Sequence, residues 1–255
     1  MKKLAFLLIL AVIAIGCSSD DDGNNAPTNA DVNFKFTQNW EGTPVTPENY
    51  DEGVYENEAG NFVYIDGLRY LISRIVLHKA DGTTVAFDEY QLVDLADAGS
   101  LTLNPALAAT TGDYTGISFI YGFNEEDNVS GAYQVLNDAN WNWPSDLGGG
   151  YHFMQMDGTF DDTNGLPQPY NFHNGTARVS DGVFEANHIV FNFDMDFTIT
   201  DDATIEIKMD ISEWYKNPLT WDLNDRSVNL MMDYLAQKDM NRNGKTVFSI
   251  GEITQ

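Results

Sequence analysis

The sequence predicts an all-β fold: an antiparallel β-sandwich with one short helix near the C-terminus. Three observations carry that expectation. Apolar residues recur with period two through most of the chain from Val32 onward, the spacing of strands with one buried face. Turn dipeptides punctuate the runs at Asp81-Gly82, Gly112-Asp113, Asn174-Gly175, Asp181-Gly182 and Asn243-Gly244. One segment alone shows helical spacing. With 255 residues, 43% hydrophobic and 13% aromatic, the chain is long enough to bury a full core.

Taken in order, residues 1–16, MKKLAFLLILAVIAIG, set two lysines before an uncharged apolar run. That is a signal-peptide pattern, too short for a stable membrane span. The run ends in small residues directly before Cys17, the only cysteine. The arrangement resembles a bacterial lipobox, so Cys17 is expected to become a lipid-modified N-terminus; a plain secretory signal is the alternative. A single cysteine also leaves no disulfide to form. Residues 17–31 are polar and acidic without apolar periodicity, as in a flexible tether, and one domain is expected over 32–255. Acidic residues just after the cysteine resemble surface-export signals of some Gram-negative lipoproteins. The expected location is therefore the outer membrane, on its periplasmic face or at the cell surface, with the lipid as the only membrane contact.

Within the domain, DVNFKFTQ alternates Val32, Phe34 and Phe36 with polar residues, and Ile117 and Phe119 share one side of Tyr114–Tyr121. RYLISRIVL is apolar on both faces and suits a central strand. HIVFNFDMDFTIT places Ile189, Phe191, Phe193, Met195, Phe197 and Ile199 on one face, TIEIKMDI does the same with Ile205, Ile207, Met209 and Ile211, and the short TDDA between them predicts a hairpin. The helical segment follows: Val228, Met231, Met232 and Leu235 fall at i, i+3, i+4 and i+7 after a candidate Asn224 cap, closing before Gly244. That methionine stripe is read as core packing.

The formal net charge is -26, and loss of Lys2 and Lys3 with the signal makes it more negative. Nucleic acid and anionic headgroups are poor partners for such a chain; cations are favoured. No nucleophile elbow, phosphate-cradling glycine loop, HExxH helix or cysteine nucleophile is present, so no enzymatic activity is expected. Gly148 to Gly150 precede a strand instead of a helix and lack the amide cluster that holds a phosphate.

Metal chemistry is the remaining signal. On an extended strand His152, Met154 and Met156 would project together, and imidazole with thioether favours copper over calcium or magnesium. A following strand, YNFHNG, supplies His173. Core packing of these residues is the plainer alternative. His78 and His188 suit exposed or wet positions. A second cation site is suggested by Asp239, Asn241 and Asn243 in DMNRNG, spaced like the first half of a calcium loop. Ile250 stands where the closing glutamate belongs, and an Asn-Gly turn explains the residues equally.

The ordered motifs LRYLISRIVLHKADG, YQLVDL, GDYTGISFIYGFNEEDN, WNWPSDLGGGYHFMQMDGTF, YNFHNG, ISEWYKNP and NGKTVFSIGEI resemble the MbnP-like family of copper-binding periplasmic and surface proteins, from about Val32 to the C-terminus. The resemblance implies a β-rich domain in which histidines hold copper, helped by a tryptophan oxidised to kynurenine by a di-haem peroxidase-like partner. It places the family's Trp-rich segment on Trp141 and Trp143, its aromatic-His-x-Gly element on Phe172-His173, and His152 after the Gly150-Tyr151 pair. Trp143 is the first candidate for oxidation, Trp141 the second. The chain departs from the family where a first-strand histidine is expected, in FTQNW, which has Gln38. The function expected is a copper-binding lipoprotein for acquisition, storage or delivery. The alternatives are a glycan-binding sandwich using Trp40, Trp141, Trp143 and Trp221, or a relative that keeps the fold without the metal.

Overall fold

A computed structural model describes residues 28–50 and 52–255. The signal segment 1–16, Cys17 and most of the tether lie outside the described residues.

In chain order, β1 (Asn29–Ala30), β2 (Val32–Trp40), β3 (Thr43–Val45), β4 (Tyr55–Glu56) and the long β5 (Phe62–Lys79) come first. Then follow β6 (Thr84–Ala86), β7 (Tyr90–Asp94), β8 (Thr102–Leu103), β9 (Ala109–Thr110) and β10 (Gly112–Tyr121). A long excursion contains α1 (Gln134–Asp138) and returns as β11 (Met154–Asp161) and β12 (Pro167–Asn174). The chain closes with β13 (Ala177–Ser180), β14 (Val183–Glu185), β15 (Ile189–Ile199), β16 (Ala203–Asp210), α2 (Tyr234–Gly244) and β17 (Phe248–Thr254).

Among the described residues the strands form a sandwich of two main sheets. One runs β12-β11-β5-β10-β15, with β4, β6 and β7 also on β5; the other runs β17-β16-β2-β3, with β8 on β2. The period-two residues line the interior as their spacing predicts. Phe34, Phe36, Ile205, Ile207 and Met209 come from one sheet and Tyr70, Ile117, Phe119 and Phe191 from the other, all buried. Each fully buried side chain of this size contributes about 1.5–3 kcal/mol.

Four expectations are corrected here. Asn29 and Ala30 pair with Thr110 and Ala109, and Ala30 is buried, so the folded domain begins inside the segment read as tether. The TDDA connection is not a hairpin: β15 pairs with β10, whereas β16 pairs with β17 and, in parallel, with β2. Both strands present one apolar face, and the short loop carries the chain from one sheet to the other so that the two faces cover the same core. The helix is shorter and rotated. Asn229 takes a left-handed conformation, Asp233 is extended, and its side chain accepts from the Ala236 amide, setting the helix start at Tyr234. Met232 and Leu235 are 60% and 65% exposed; the buried side is Ala236, Gln237, Met240, Asn243 and Gly244. Asn224, read as the cap, instead accepts from the Thr163 amide. Gly112-Asp113, read as a turn, opens β10.

Candidate metal centre

The centre is assembled where the excursion between β10 and β11 leaves and rejoins the sheet. Leu71 of β5 closes it from both ends: its carbonyl accepts from the Gly122 amide, and its own amide donates to the Phe153 carbonyl. Within this loop the Trp-rich segment lies beside the Gly-Tyr segment. The Trp143 amide donates to the Gly150 carbonyl, the His152 amide donates to the Trp141 carbonyl, and Asn142 bridges Tyr151. The reversal between them requires glycine, because Gly148, Gly149 and Gly150 have φ of 112°, 67° and 82° in succession. A side chain would also collide there, since a Cβ on Gly149 would sit 2.8 Å from Ser130 Oγ.

Trp141 and Trp143 both turn toward His152, with ring centroids at 5.4 and 4.9 Å. His173 completes the group at 5.4 Å from His152, its ring nearly perpendicular at 85°. The Trp143 indole N–H donates to the Leu147 carbonyl at 3.0 Å, and its ring rests on Gly175, where a Cβ would fall 2.6 Å from the indole. Arg69 lies over the Trp141 ring, its guanidinium carbon 4.9 Å from the centroid, and donates to Gln155. The floor is the polar face of the sheet, with Gln155 paired to both Arg69 and His173, and Asp157 opposite Asn171.

The electrostatics favour a neutral ligand. Burial, then the neighbouring His173 and Arg69, push the His152 imidazole down to about 3, so it stays neutral at ordinary pH. Its Nδ1 is buried with no hydrogen-bond partner. His173 Nε2 lies 2.8 Å from Asp157 Oδ1. Burial alone would raise the Asp157 carboxyl, but hydrogen bonds from His173 and Asn171 outweigh it and hold it below its ordinary value. A metal about 2 Å from each ring nitrogen lies roughly 3 Å from each centroid. The observed centroid separation is therefore compatible with one shared ion, and the orphaned imidazole nitrogen fits a soft cation of the copper type. Among the described residues no group of three His, Cys, Asp or Glu side chains forms a metal cluster.

His152, His173, Trp141 and Trp143 thus converge; Met154 does not. Gln155 faces His173 on the polar side, so alternation sends Met154 and Met156 to the opposite, interior face, where the Tyr215 hydroxyl reaches Met156 Sδ at 3.8 Å. Met154 is corrected from ligand to core residue. Gln38 lies away from the centre, buried in the other sheet and donating to the Tyr70 hydroxyl at 2.7 Å.

The calcium reading is corrected as well. Asp239, Asn241 and Asn243 sit on α2 instead of a loop. Asp239 pairs with Arg226 and Arg242, Asn241 donates to the Asn187 carbonyl, and Asn243 bonds Trp214 and Leu219. All five tryptophans are buried, so the exposed aromatic platform required for the glycan reading is not formed.

Sequence reasoning missed Asp157 and Arg69. Asp157 carries a usable signal: it shares strand parity with Gln155, and a hairpin register placing Gln155 opposite His173 brings the carboxylate beside that ring.

A family model described as MbnP matches residues 29–232. Among solved structures, MbnP from Methylosinus trichosporium is similar in fold, with a TM-score of 0.54 at 14% identity, covering 88% of this chain and 99% of that one. No curated protein matches the chain.

Proposed function

The chain belongs to the MbnP family, and on that premise we propose that it is a cell-envelope lipoprotein that binds copper through His152 and His173, for acquisition, storage or delivery. The observation that carries the reading is the paired imidazoles, one with a buried, unpartnered nitrogen, enclosed by Trp141 and Trp143. Copper bound there would supply a redox-active, soft Lewis-acid centre. The chain's own contribution is to keep His152 neutral, orient His173 and exclude water with the two indoles.

Trp143, with its edge-on contact to His152, is the preferred residue for conversion to kynurenine by a di-haem peroxidase-like partner, with Trp141 second. The lipobox-like sequence before Cys17 supports anchoring to the outer membrane, on its periplasmic face or at the cell surface.

The test is metal analysis of the native protein. We expect about one copper per chain, kynurenine in the peptide containing Trp141 and Trp143, and loss of copper in a His152→Ala, His173→Ala double variant. Wild-type protein that takes up no copper, or a double variant with undiminished uptake, would sink the reading.

A further inference from the structure

We propose that Asp157 is a positioning residue that sets the tautomer of His173 and leaves Nδ1 as the ring nitrogen available to a metal. The inference rests on the two-histidine reading above. Asp157 and His173 lie on adjacent antiparallel strands, with Asn171 directly opposite Asp157 and Gln155 directly opposite His173. The pair is therefore a diagonal one on a single face, about 7–8 Å apart at the backbone and within reach of an imidazole and a carboxylate. The side chains close that gap to 2.8 Å between Nε2 and Oδ1.

An ionised carboxylate only accepts hydrogen bonds. In the neutral ring Nε2 must therefore carry the proton, because the opposite tautomer would set two acceptors against each other. Asp157 is itself held, since Asn171 Nδ2 donates to the same Oδ1 at 2.7 Å. The backbone beneath the ring is fixed independently: Gln237 Nε2 donates to the His173 carbonyl at 2.8 Å, and Gln237 Oε1 accepts from the Gly175 amide at 3.2 Å. His173 is thus constrained at ring and main chain, whereas Trp141 and Trp143 wall His152 by packing. The carboxylate acts through the imidazole and is not itself a ligand.

The first measurement needs no metal and no variant. Long-range proton–nitrogen correlation spectra of the full chain, purified without copper, should place the His173 proton on Nε2; a proton on Nδ1 overturns the proposal. The second uses cuprous ion alone in competition with a chromophoric chelator, with electron paramagnetic resonance of the cupric form. Asp157→Ala should weaken binding about 10–100-fold, the usual cost of losing such a partner, and alter the hyperfine pattern. Asp157→Asn, whose amide oxygen still accepts from Nε2, should recover most of the affinity. Unchanged affinity and spectrum in Asp157→Ala, or no recovery in Asp157→Asn, overturns the role. Wild-type protein that fails to bind copper refutes the two-histidine reading, and the tautomer measurement still decides the part played by Asp157. Should Asp157→Ala not fold, the spectra of the wild type and of Asp157→Asn decide between the two outcomes.

Discussion

The loop from Trp141 to Phe153 and the helix from Tyr234 to Gly244 both bring buried polar side chains against β12, and they differ in what those atoms have left to offer. In the helix, Gln237 bonds main-chain groups of His173, Gly175 and Leu230, and Asn243 bonds Trp214 and Leu219. In the loop, Trp141 Nε1 and His152 Nδ1 are buried without a partner. Both regions contain residue types that suit a cation, but the helix has committed its lone pairs to structure. Residue type and spacing therefore propose a metal site, and an uncommitted imidazole nitrogen beside a second histidine selects it.

Four experiments test that contrast. The largest effect is expected on acidification. The folded His152 titrates near 3 against an ordinary 6.5, so below 6.5 the unfolded chain takes up a proton that the folded one refuses. Its stabilising contribution is complete above 6.5 and is lost as pH falls toward 3, at about 1.4 kcal/mol per pH unit and roughly 3–5 kcal/mol in all. Denaturant titrations of wild type and His152→Gln between pH 7 and 4 should show a shallower loss in the variant; parallel curves would remove His152 from the account.

Next is Asn243→Ala. It breaks three hydrogen bonds at a fully buried position and should cost about 2–4 kcal/mol. Copper affinity should not change, since the residue serves the fold. An effect on affinity without an effect on stability would reverse the distinction between the two regions.

Gly150→Ala tests the loop from the opposite direction. A φ of 82° and collision of the new Cβ with the Asn128 side chain should cost about 1–3 kcal/mol, seen as a lower thermal midpoint. Copper affinity should fall with it, because His152 follows this turn by two residues. Met154→Leu should have the smallest effect: a near-isosteric core exchange costing under about 1.5 kcal/mol, with copper affinity unchanged. A weakened affinity would return the thioether to the site.

Much of the architecture is legible in the sequence because each strand has one buried face, and period two records that directly. The link from β15 to β16 is not, because a short polar connection serves a hairpin and a crossing between sheets equally well; only the pairing partners, β10 and β2, distinguish them. Apolar patterning finds the helix but not its buried face, because that face carries Gln237 and Asn243, which such patterning scores as surface. Met154 falls on the other face from the one expected for a related reason. Parity counted from His152 assumes an extended chain there, but regular strand geometry begins at Met154, and a one-residue offset exchanges the two faces. The pairing of His152 with His173 survives that offset because the closed loop, more than strand alternation, brings the first ring to the second.

Gln237 has a consequence for how neighbouring copies of the protein behave. β12 is the outermost strand of its sheet, and a bare edge is a template for another chain. Here the Asn171 amide is taken by the Ser227 carbonyl, and the Gln237 side-chain amide occupies His173 and Gly175 as a short strand would. The same contacts that steady the imidazole therefore blunt the sheet edge and disfavour strand-to-strand pairing with a second copy of the chain.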